Sequence, residues 1–536
     1  MTKLSVVTDD GINSIQQEVA AEVEREKEQF QLTEPDTTKP KDIQRALRDG
    51  QDGDARLLIQ LCHDKLLYDH SSRKWYCWKA HFWEEDLIED VVGSVDGVIE
   101  LYKQEVLNQA ALRTAAVSSG EKEKEKKAKD GEDALLKRIR QLHTVDGKGS
   151  VLTLARAGKD SLGITGNEWD PNPMQLGCRN GVIDLNSGDF RNGRPDDFIK
   201  TVCPTEWQGF DASAPVFQQF LNDIFNKDQE LIDFLQNLFG YSLTGTCKNH
   251  IFPILWGHGR NGKGTLLELF KFVLGDLVGP VAAEMLLRQD KIKQASAPSP
   301  EIMALRGRRI AWASEIDEGR QLSIGRLKWL VGGDSLVGRE PYGKRDIHFN
   351  PTHTLFLLTN HKPQADASEY ALWQRVCLIP FTLSFIAEPK EDNERKCNPD
   401  LLDDLKKEAS GILAWLVAGA VRSQQEGLEI PEVIKAATAE YRSEEDVIGH
   451  FIEECCTRNP SYQAKSSDLY KAYQEWCARS GYRPMGIKKL GQKMGQRFTK
   501  ISQRDGNFYS GLRVATITTD YSEQVTCNHT YLECLE

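Results

Sequence analysis

The sequence predicts an α/β protein with a parallel sheet at its core, followed by helices and a small basic module. Three observations predict this arrangement. A short apolar run, residues 251–256, leads directly into a glycine-rich loop and then into a helical pattern of apolar residues. Two later strand-like runs, residues 308–314 and 354–360, are each followed by or end in polar side chains. Residues 461–514 carry eleven Lys and Arg against three acidic residues, although the whole chain has a net charge of −12.

Composition places the chain among water-soluble globular proteins of several domains, since 40% of its 536 residues are hydrophobic and 28% are charged. The first 14 residues lack the apolar run of a signal peptide, and the longest apolar run, residues 412–421, is too short to span a bilayer. The twelve cysteines form no Cys-x-x-Cys pair. We therefore expect a cytoplasmic protein with free, mostly buried thiols and no membrane partner.

The N-terminal part divides by composition into an arm and a folded region. Residues 1–50 are polar and rich in Glu and Gln, which predicts a flexible arm or a loose helix. Residues 51–245 mix apolar, aromatic and charged residues and are expected to form an α/β region. Within it, residues 121–127 alternate in sign. Because opposite charges cancel locally, this run predicts a solvated helix or linker rather than a DNA-binding surface.

Three elements are expected shortly before the glycine-rich loop. Residues 180–185 (NGVIDL) and the polar turn after them predict a strand and a tight turn. Residues 216–225 and 229–239 have apolar residues at helical spacing and predict two helices. The core is then expected to occupy residues 246–390.

The glycine-rich loop, from Gly257 to Thr265, has the sequence GHGRNGKGT and stands between a strand and a helix. Glycines let the backbone amides face phosphate oxygens, and the helix N-terminus adds the positive end of its dipole. Lys263 is expected to contact the β- and γ-phosphates. The loop therefore predicts binding of ATP with Mg²⁺. The residues expected to contact the nucleotide are Gly257, Gly259, Asn261, Gly262, Lys263, Gly264 and Thr265.

One residue departs from the usual phosphate loop. The position after the lysine normally supplies a Ser or Thr hydroxyl to Mg²⁺, and here it is Gly264. Thr265 stands one residue later and is a candidate metal ligand. Water is the alternative that completes the metal shell, and the sequence leaves both open.

Acidic residues follow the second apolar strand. A carboxylate at this strand end lies beside the phosphate loop, where it organises Mg²⁺ or polarises the attacking water. Glu315 is the first candidate for the metal and for catalysis, with Asp317 and Glu318 as alternates. The alternative is a plain acidic surface turn.

The third apolar strand ends in Asn360. A side-chain amide at this place can hydrogen-bond the γ-phosphate or the hydrolytic water and so distinguish one nucleotide from another. Taken alone, an Asn after a strand is usually a turn residue. Its place after a phosphate loop and an acidic strand favours the nucleotide-sensing role.

Together these motifs resemble the superfamily 3 helicases, specifically the helicase part of the phage and plasmid primase family, which is related to the poxvirus primase-helicase. The resemblance covers roughly residues 176–514. Its landmarks, in order, are NGVIDL (180–185), GYSLTG (240–245), the GHGRNGKGT loop, ASEIDEG (313–319), LVGGD (330–334), LLTNHKP (357–363) and WQRV (373–376).

The resemblance implies an AAA+-like ATPase core assembled as a homo-hexamer around DNA, with ATP bound between subunits. Asn360 matches the position of sensor 1. Arg375 matches the arginine finger that reaches the γ-phosphate of a neighbouring subunit, and the alternative for it is a surface or ion-pair residue. A phage, prophage or plasmid source in a bacterial cell is also implied.

The resemblance further implies a hairpin over residues 338–349 that points into the channel of the ring. Pro and Gly in this stretch also predict a turn between two short extended segments. Lys344 and Arg345 are the first candidates for contacts with the DNA backbone, and Arg339 is the next. Tyr342 is a candidate for stacking on a base.

After the core, residues 391–458 are expected to form a helical lid or linker, and residues 516–536 a C-terminal tail. Residues 459–515 invert the global charge and predict two helices followed by a hairpin, which suits a winged-helix DNA-binding domain. Lys488, Lys489 and Lys493 are expected on or near one helix face and Arg504 at the hairpin. The remaining candidate roles for these cations are protein docking and solubility.

Three functions remain open. The favoured one is an ATP-dependent DNA helicase in replication. The alternatives are an initiator that binds an origin and uses ATP as an assembly switch, and a scaffold that recruits a primase or polymerase. The early Asp52-Gly53-Asp54 has no apolar strands around it, so we expect no primase site in this chain and priming by a separate one.

Overall fold

A computed structural model describes residues 40–289, 298–314, 319–341 and 345–515. Contacts divide the chain into two compact units. Within the described residues, the first contains 40–171 and 191–200, and the second contains 172–190 and those from 201 to 515. The expected boundaries at 245, 390 and 458 all fall inside the second unit. The folds are mixed α/β.

The first unit is built of helices and a small sheet. Its helices are α1 (Pro40–Asp49), α2 (Gln51–Cys62), α3 (Asp96–Ser119), α4 (Lys122–Leu142) and α5 (Val145–Ala155). Its strands are β1 (Leu66–Asp69), β2 (Lys74–Trp78), β3 (Trp83–Glu85) and β4 (Gly163–Ile164), in the order β3-β2-β1-β4. The alternating charges of 121–127 lie at the start of α4, so the prediction of a solvated helix is confirmed.

Of the two alternatives predicted for residues 1–50, a flexible arm or a loose helix, the described residues 40–49 form a helix that packs against the first unit. Helix α1 buries Ile43 and Ala46 in the core of the first unit. Two apolar side chains three positions apart suffice to fix one helical turn against a neighbour, and a polar average over fifty residues hides them. The rest of the predicted arm, residues 1–39, lies outside the described residues.

A buried ion pair joins two helices of the first unit. Asp54 of α2 is fully buried and pairs with Arg138 of α4, whose side chain is 14% exposed. The hydroxyl of Tyr102 on α3 donates to the other carboxylate oxygen at 2.6 Å, and burial raises the pKa of Tyr102. Asp54 is thus a structural residue of the first unit.

The second unit contains a parallel sheet at its centre. Its first strands are β5 (Gln175–Cys178), β6 (Gly181–Asp184), β7 (Phe190–Arg191) and β8 (Val202–Cys203), which form a separate small sheet. The central strands are β9 (Phe252–Trp256), β10 (Val278–Val281), β11 (Ile310–Ser314), β14 (Thr354–Thr359) and β15 (Val376–Pro380). All run parallel in the order β10-β11-β14-β9-β15.

Both faces of this sheet are buried, which explains why its strands are almost continuously apolar. Alternate residues of β14 belong to different clusters, since Phe356 packs on one side and Leu357 on the other. The helices of this part are α6 (Pro215–Ile224), α7 (Gln229–Leu243), α8 (Lys263–Leu274), α9 (Pro300–Met303), α10 (Ile324–Val331) and α11 (Tyr370–Trp373). The expected strand at 180–185 and both expected helices before the loop are present.

A hairpin and several helices complete the second unit. Strands β12 (Leu336–Gly338) and β13 (Ile347–Phe349) pair antiparallel, so the predicted hairpin is present. They are followed by β16 (Ser384–Ile386), β17 (Glu394–Lys396), α12 (Leu401–Lys406), α13 (Ala409–Glu426), α14 (Glu432–Glu444) and α15 (Val447–Cys455). Gly240 of α7 lets α13 approach closely, because a Cβ there would lie 2.0 Å from the carbonyl carbon of Gly419.

The basic C-terminal part is a small sheet with two helices. Strand β18 (Cys456–Lys465) is followed by α16 (Ser466–Ser480), α17 (Ile487–Arg497), β19 (Lys500–Gln503) and β20 (Gly506–Val514). The antiparallel order β18-β20-β19 places the predicted turn at 504–505. The ten cysteines within the described ranges carry free thiols, and one of them, Cys397, is exposed. None of the described helices has the length and apolar composition that crossing a bilayer demands.

Candidate functional site

The glycine-rich loop connects the end of β9 to the start of α8 in the middle of the parallel sheet. Gly259 and Gly262 have positive φ angles of 96° and 85°, which favour glycine. At Gly262 there is also no room for a side chain, because a Cβ would lie 2.7 Å from Cγ2 of Ile224. The amide of Gly257 donates to Thr359 O at 3.3 Å, so β14 holds the loop where it begins.

Lys263 is the first residue of α8, and its side chain folds back into the loop. Its Nζ donates to Gly257 O at 2.6 Å and to Asn360 Oδ1 at 3.3 Å. Lys263 is only 6% exposed, and burial lowers the pKa of its ammonium group to about 8. A buried cation with carbonyl and amide partners inside a glycine loop is suited to exchange these partners for phosphate oxygens.

The structure brings together two residues that belong to separate motifs of the sequence, Lys263 of the glycine-rich loop and Asn360 after the third apolar strand. Asn360 follows β14, which is the neighbour of β9, and so its exposed side chain reaches Lys263. Asn261 is buried within the loop, and its amide donates to Phe381 O at 3.4 Å. Asn261 therefore contributes to loop shape, whereas Asn360 is exposed and contacts the Lys263 ammonium group.

The candidate metal ligands are only partly described. Gly264 is exposed, and a Cβ added there would have no atom within 4 Å. Thr265 is half-buried on the first turn of α8. Glu315, Asp317 and Glu318 lie outside the described residues. Within the described ranges, no group of three or more His, Cys, Asp or Glu side chains is arranged to hold a metal ion.

Arg375 stands directly before β15, and Phe252 donates to its carbonyl oxygen at 2.7 Å, which ties it to the strand that carries the loop. Its Nη1 donates to Ala371 O at 2.6 Å. Its Nε is buried and has no hydrogen-bond partner within the described part of the chain. A buried donor without a partner costs about 1–3 kcal/mol. The hydrogen bonds among the described residues thus leave one donor of this guanidinium unused.

The hairpin β12–β13 presents Arg345 as an exposed residue and Arg339 as a half-buried one. The amide of Arg339 donates to Ser299 Oγ at 3.1 Å, which fixes the base of the hairpin. Tyr342 and Lys344 lie outside the described residues.

The four cations predicted in the C-terminal part do not share one surface. Lys488, Lys489 and Arg504 are exposed. Lys493 instead pairs with Asp366 and donates to Ser368 Oγ at 3.0 Å, and its side chain is 15% exposed. Burial raises the pKa of Asp366, but the hydrogen bonds from Lys493 and Ser368 outweigh it and lower that pKa overall.

Residues 360–368, which we name the post-sensor segment, connect the loop with the C-terminal helices. Lys362 lies 4.6 Å above the Trp256 ring and pairs with Glu444 at 2.7 Å. The Ala365 amide donates to Glu445 Oε2 at 2.8 Å, and burial raises the pKa of Glu445. The contacts of this segment could not be predicted from the sequence, because its only signal there is the polar composition after Asn360.

Comparison with known proteins finds two family regions in this chain. Residues 55–226 match the model "D5 N terminal like", and residues 443–522 match "Poxvirus D5 protein-like". "Putative helicase L207/L206" of Acanthamoeba polyphaga mimivirus is 28% identical over 448 residues, covering 79% of this chain and 45% of that protein. "Primase D5" of fowlpox virus is 27% identical over 254 residues, covering 44% of this chain and 32% of that protein.

Among solved structures, the C-terminal region of NrS-1 aligns with a TM-score of 0.43 and 11% identity, covering 84% of this chain and 96% of that one. The chain spans less than half the length of the two viral relatives. The predicted relation to the poxvirus primase-helicase is confirmed by the matched regions. Both relatives come from large DNA viruses, so a phage or plasmid source stays a prediction.

Proposed function

From the premise that the chain carries a D5 N-terminal-like region and a poxvirus D5 protein-like region, we propose that it is an ATP-dependent DNA helicase in viral DNA replication. The observation that carries the proposal is the convergence of buried Lys263 and Asn360 on the glycine-rich loop. Lys263 binds the β- and γ-phosphates of ATP, and Asn360 senses the γ-phosphate. Mg²⁺ is held by Thr265 or water together with Glu315, or with Asp317 or Glu318 in its place.

The order of the parallel strands supports an AAA+-like P-loop core, with α12 to α14 as its lid. The helices and antiparallel strands of 456–514 support a winged-helix domain that uses Lys488, Lys489 and Arg504 on DNA phosphates. The hairpin supplies Arg339, Arg345, Lys344 and Tyr342 to the strand. The working form is a homo-hexamer in which Arg375 completes the site of a neighbour, and a separate primase or polymerase makes primers.

A second candidate is an initiator or scaffold that uses ATP only as an assembly switch. Gly264 favours it, because this position lacks the hydroxyl that normally binds Mg²⁺. The two functions are separated by steady-state ATP turnover of the purified full chain with and without single-stranded DNA. A helicase shows DNA-stimulated turnover that Lys263→Ala lowers by about 100-fold or more. Binding of ATP without DNA-stimulated turnover leaves the switch as the function.

ATP affinity is expected to fall as the pH rises above about 8. Lys263 has its pKa lowered to about 8 in the free site, and phosphates favour the charged ammonium, so binding takes up a proton above that pH. Between pH 7.5 and 9.5 the dissociation constant for a fluorescent ATP analogue should rise about 20-fold. Lys263→Arg stays charged and should bind with little pH dependence. An equal pH dependence in both proteins would contradict this prediction.

Gly264→Ser is expected to strengthen Mg²⁺ binding. The new hydroxyl occupies the usual metal-ligand position, and the space around the added Cβ is open. Half-maximal turnover should occur at a Mg²⁺ concentration lower by about threefold to tenfold, corresponding to about 1 kcal/mol. The matched control is Gly264→Ala, which adds the Cβ without the hydroxyl. Equal Mg²⁺ requirements for the two variants would show that this position does not face the metal.

A further inference from the structure

A cavity of about 880 Å³ lies in the second unit, among the start of β15, helix α14 and helix α17. Its lining includes no residue of the glycine-rich loop. Small-molecule sites in proteins usually enclose about 300–1,000 Å³, so this cavity has the size of a ligand site.

Part of the cavity lining is apolar and includes hydrogen-bonding groups. Trp373, Val376 and Ile430 supply the apolar surface, and the amide of Gln374 stands beside them. The indole of Trp373 is fixed, because its Nε1 donates to Asp366 O at 2.9 Å. A flat, mostly apolar group with polar edges is the kind of ligand that such a wall accepts.

Another part of the cavity lining is cationic. Arg442, Lys435 and Arg497 line it, and Asp446 is the only acidic residue among the described residues that do so. Arg442 is held at the wall because its Nε donates to Ala367 O at 3.1 Å. Arg497 pairs with Asp446, whereas Arg442 and Lys435 have no acidic partner within the described lining itself. Lys435 also pairs with Glu432 at 2.7 Å outside the cavity, and its side chain is 52% exposed.

We propose that this cavity is a second nucleotide-binding site, separate from the glycine-rich loop. The apolar wall takes the base, and Arg442 with Lys435 takes the phosphate of a nucleoside phosphate. The ligand is either a free nucleotide or one nucleotide of a DNA strand, since both present the same chemistry. The site does not require ATP turnover, so its test is independent of the proposed helicase activity.

The test uses the full chain carrying Lys263→Ala, which disables the glycine-rich loop. Two probes are titrated by fluorescence anisotropy, a labelled oligo(dT) strand and a fluorescent ATP analogue. Arg442→Gln and Lys435→Gln are compared with Lys407→Gln, a control at an exposed lysine outside the cavity. For a strand, the slope of log affinity against log salt should become less negative by about 0.7 in Lys435→Gln, as expected for one lost phosphate contact.

Loss of about tenfold in oligo(dT) affinity in both cavity variants, with the control unchanged, would assign the site to a DNA strand. A matching loss for the ATP analogue would assign it to a free nucleotide. If Arg442→Gln misfolds by circular dichroism, the exposed Lys435 still provides the test. Unchanged affinity for both probes in the folded cavity variants overturns the proposal, whether or not the wild type hydrolyses ATP.

Discussion

Arg375→Ala is expected to lower ATP turnover by about 10³-fold or more while leaving ATP affinity within a few-fold of the wild type. The reason is that a guanidinium fixed beside the γ-phosphate stabilises charge that develops only in the transition state. In this chain the residue stands directly before β15. Its carbonyl accepts from the Phe252 amide of β9, and its Nη1 donates to Ala371 O of α11. Its buried Nε has no partner among the described residues. Steady-state turnover and equilibrium nucleotide binding together measure the effect.

A mixing experiment tests whether Arg375 acts on a neighbouring subunit. Arg375→Ala and Lys263→Ala remove different halves of a shared site, so a mixture of the two inactive proteins should regain part of the turnover. Arg375→Lys should stay inactive, since lysine lacks the planar fork of donors. Arg422→Ala, at a surface arginine that pairs with Glu426, is the matched control. A variant that loses ATP affinity and thermal stability in proportion to turnover would reveal a structural arginine instead.

Arg138→Ala is expected to destabilise the first unit by about 3–5 kcal/mol, because it leaves the carboxylate of Asp54 buried and without its cation. Hydrogen exchange followed by mass spectrometry is the suitable measurement in a chain of two units. Peptides from α2, α3 and α4 should exchange faster, whereas peptides from the parallel sheet should keep their protection.

Arg140→Ala provides the control on the same helix, since Arg140 is exposed. It should leave exchange unchanged. Faster exchange throughout the chain would mean that the two units unfold together, and no change at all would mean that Asp54 finds another partner or a proton.

The central sheet, the glycine-rich loop and the proximity of Asn360 to Lys263 can be predicted from the sequence for a physical reason. Strands buried on both faces need unbroken apolar runs, and all six residues of β14 are buried. Because parallel strands end at the same edge, the order of motifs also predicts that Asn360 lies close to Lys263. The glycine-rich loop is equally local, since its conformation depends on glycines that the sequence displays.

Contacts between distant residues could not be predicted in the same way. Lys493 and Asp366 are 127 positions apart, and Arg138 and Asp54 are 84 apart. No periodicity indicates which acidic residue a given lysine will meet. The sequence pattern therefore predicts Lys493 on the exposed face with its neighbours. In the structure Lys493 is half-buried, three positions after buried Leu490, and pairs with Asp366.

The post-sensor segment has a further consequence that follows from thermodynamics alone. Its first residue contacts Lys263, and its later residues contact Lys493. These nine residues therefore contact both the glycine-rich loop and helix α17. A ligand that displaces this segment at one end changes the free energy of its contacts at the other end.

This coupling between the two ends is reciprocal. If bound nucleotide changes the affinity of the C-terminal helices for DNA by some factor, DNA must change the affinity for nucleotide by the same factor. Through this short segment, the two ends are thermodynamically coupled, so a change at one end cannot leave the other unaffected. The ion pair between Asp366 and Lys493 is one of the contacts that join this segment to helix α17.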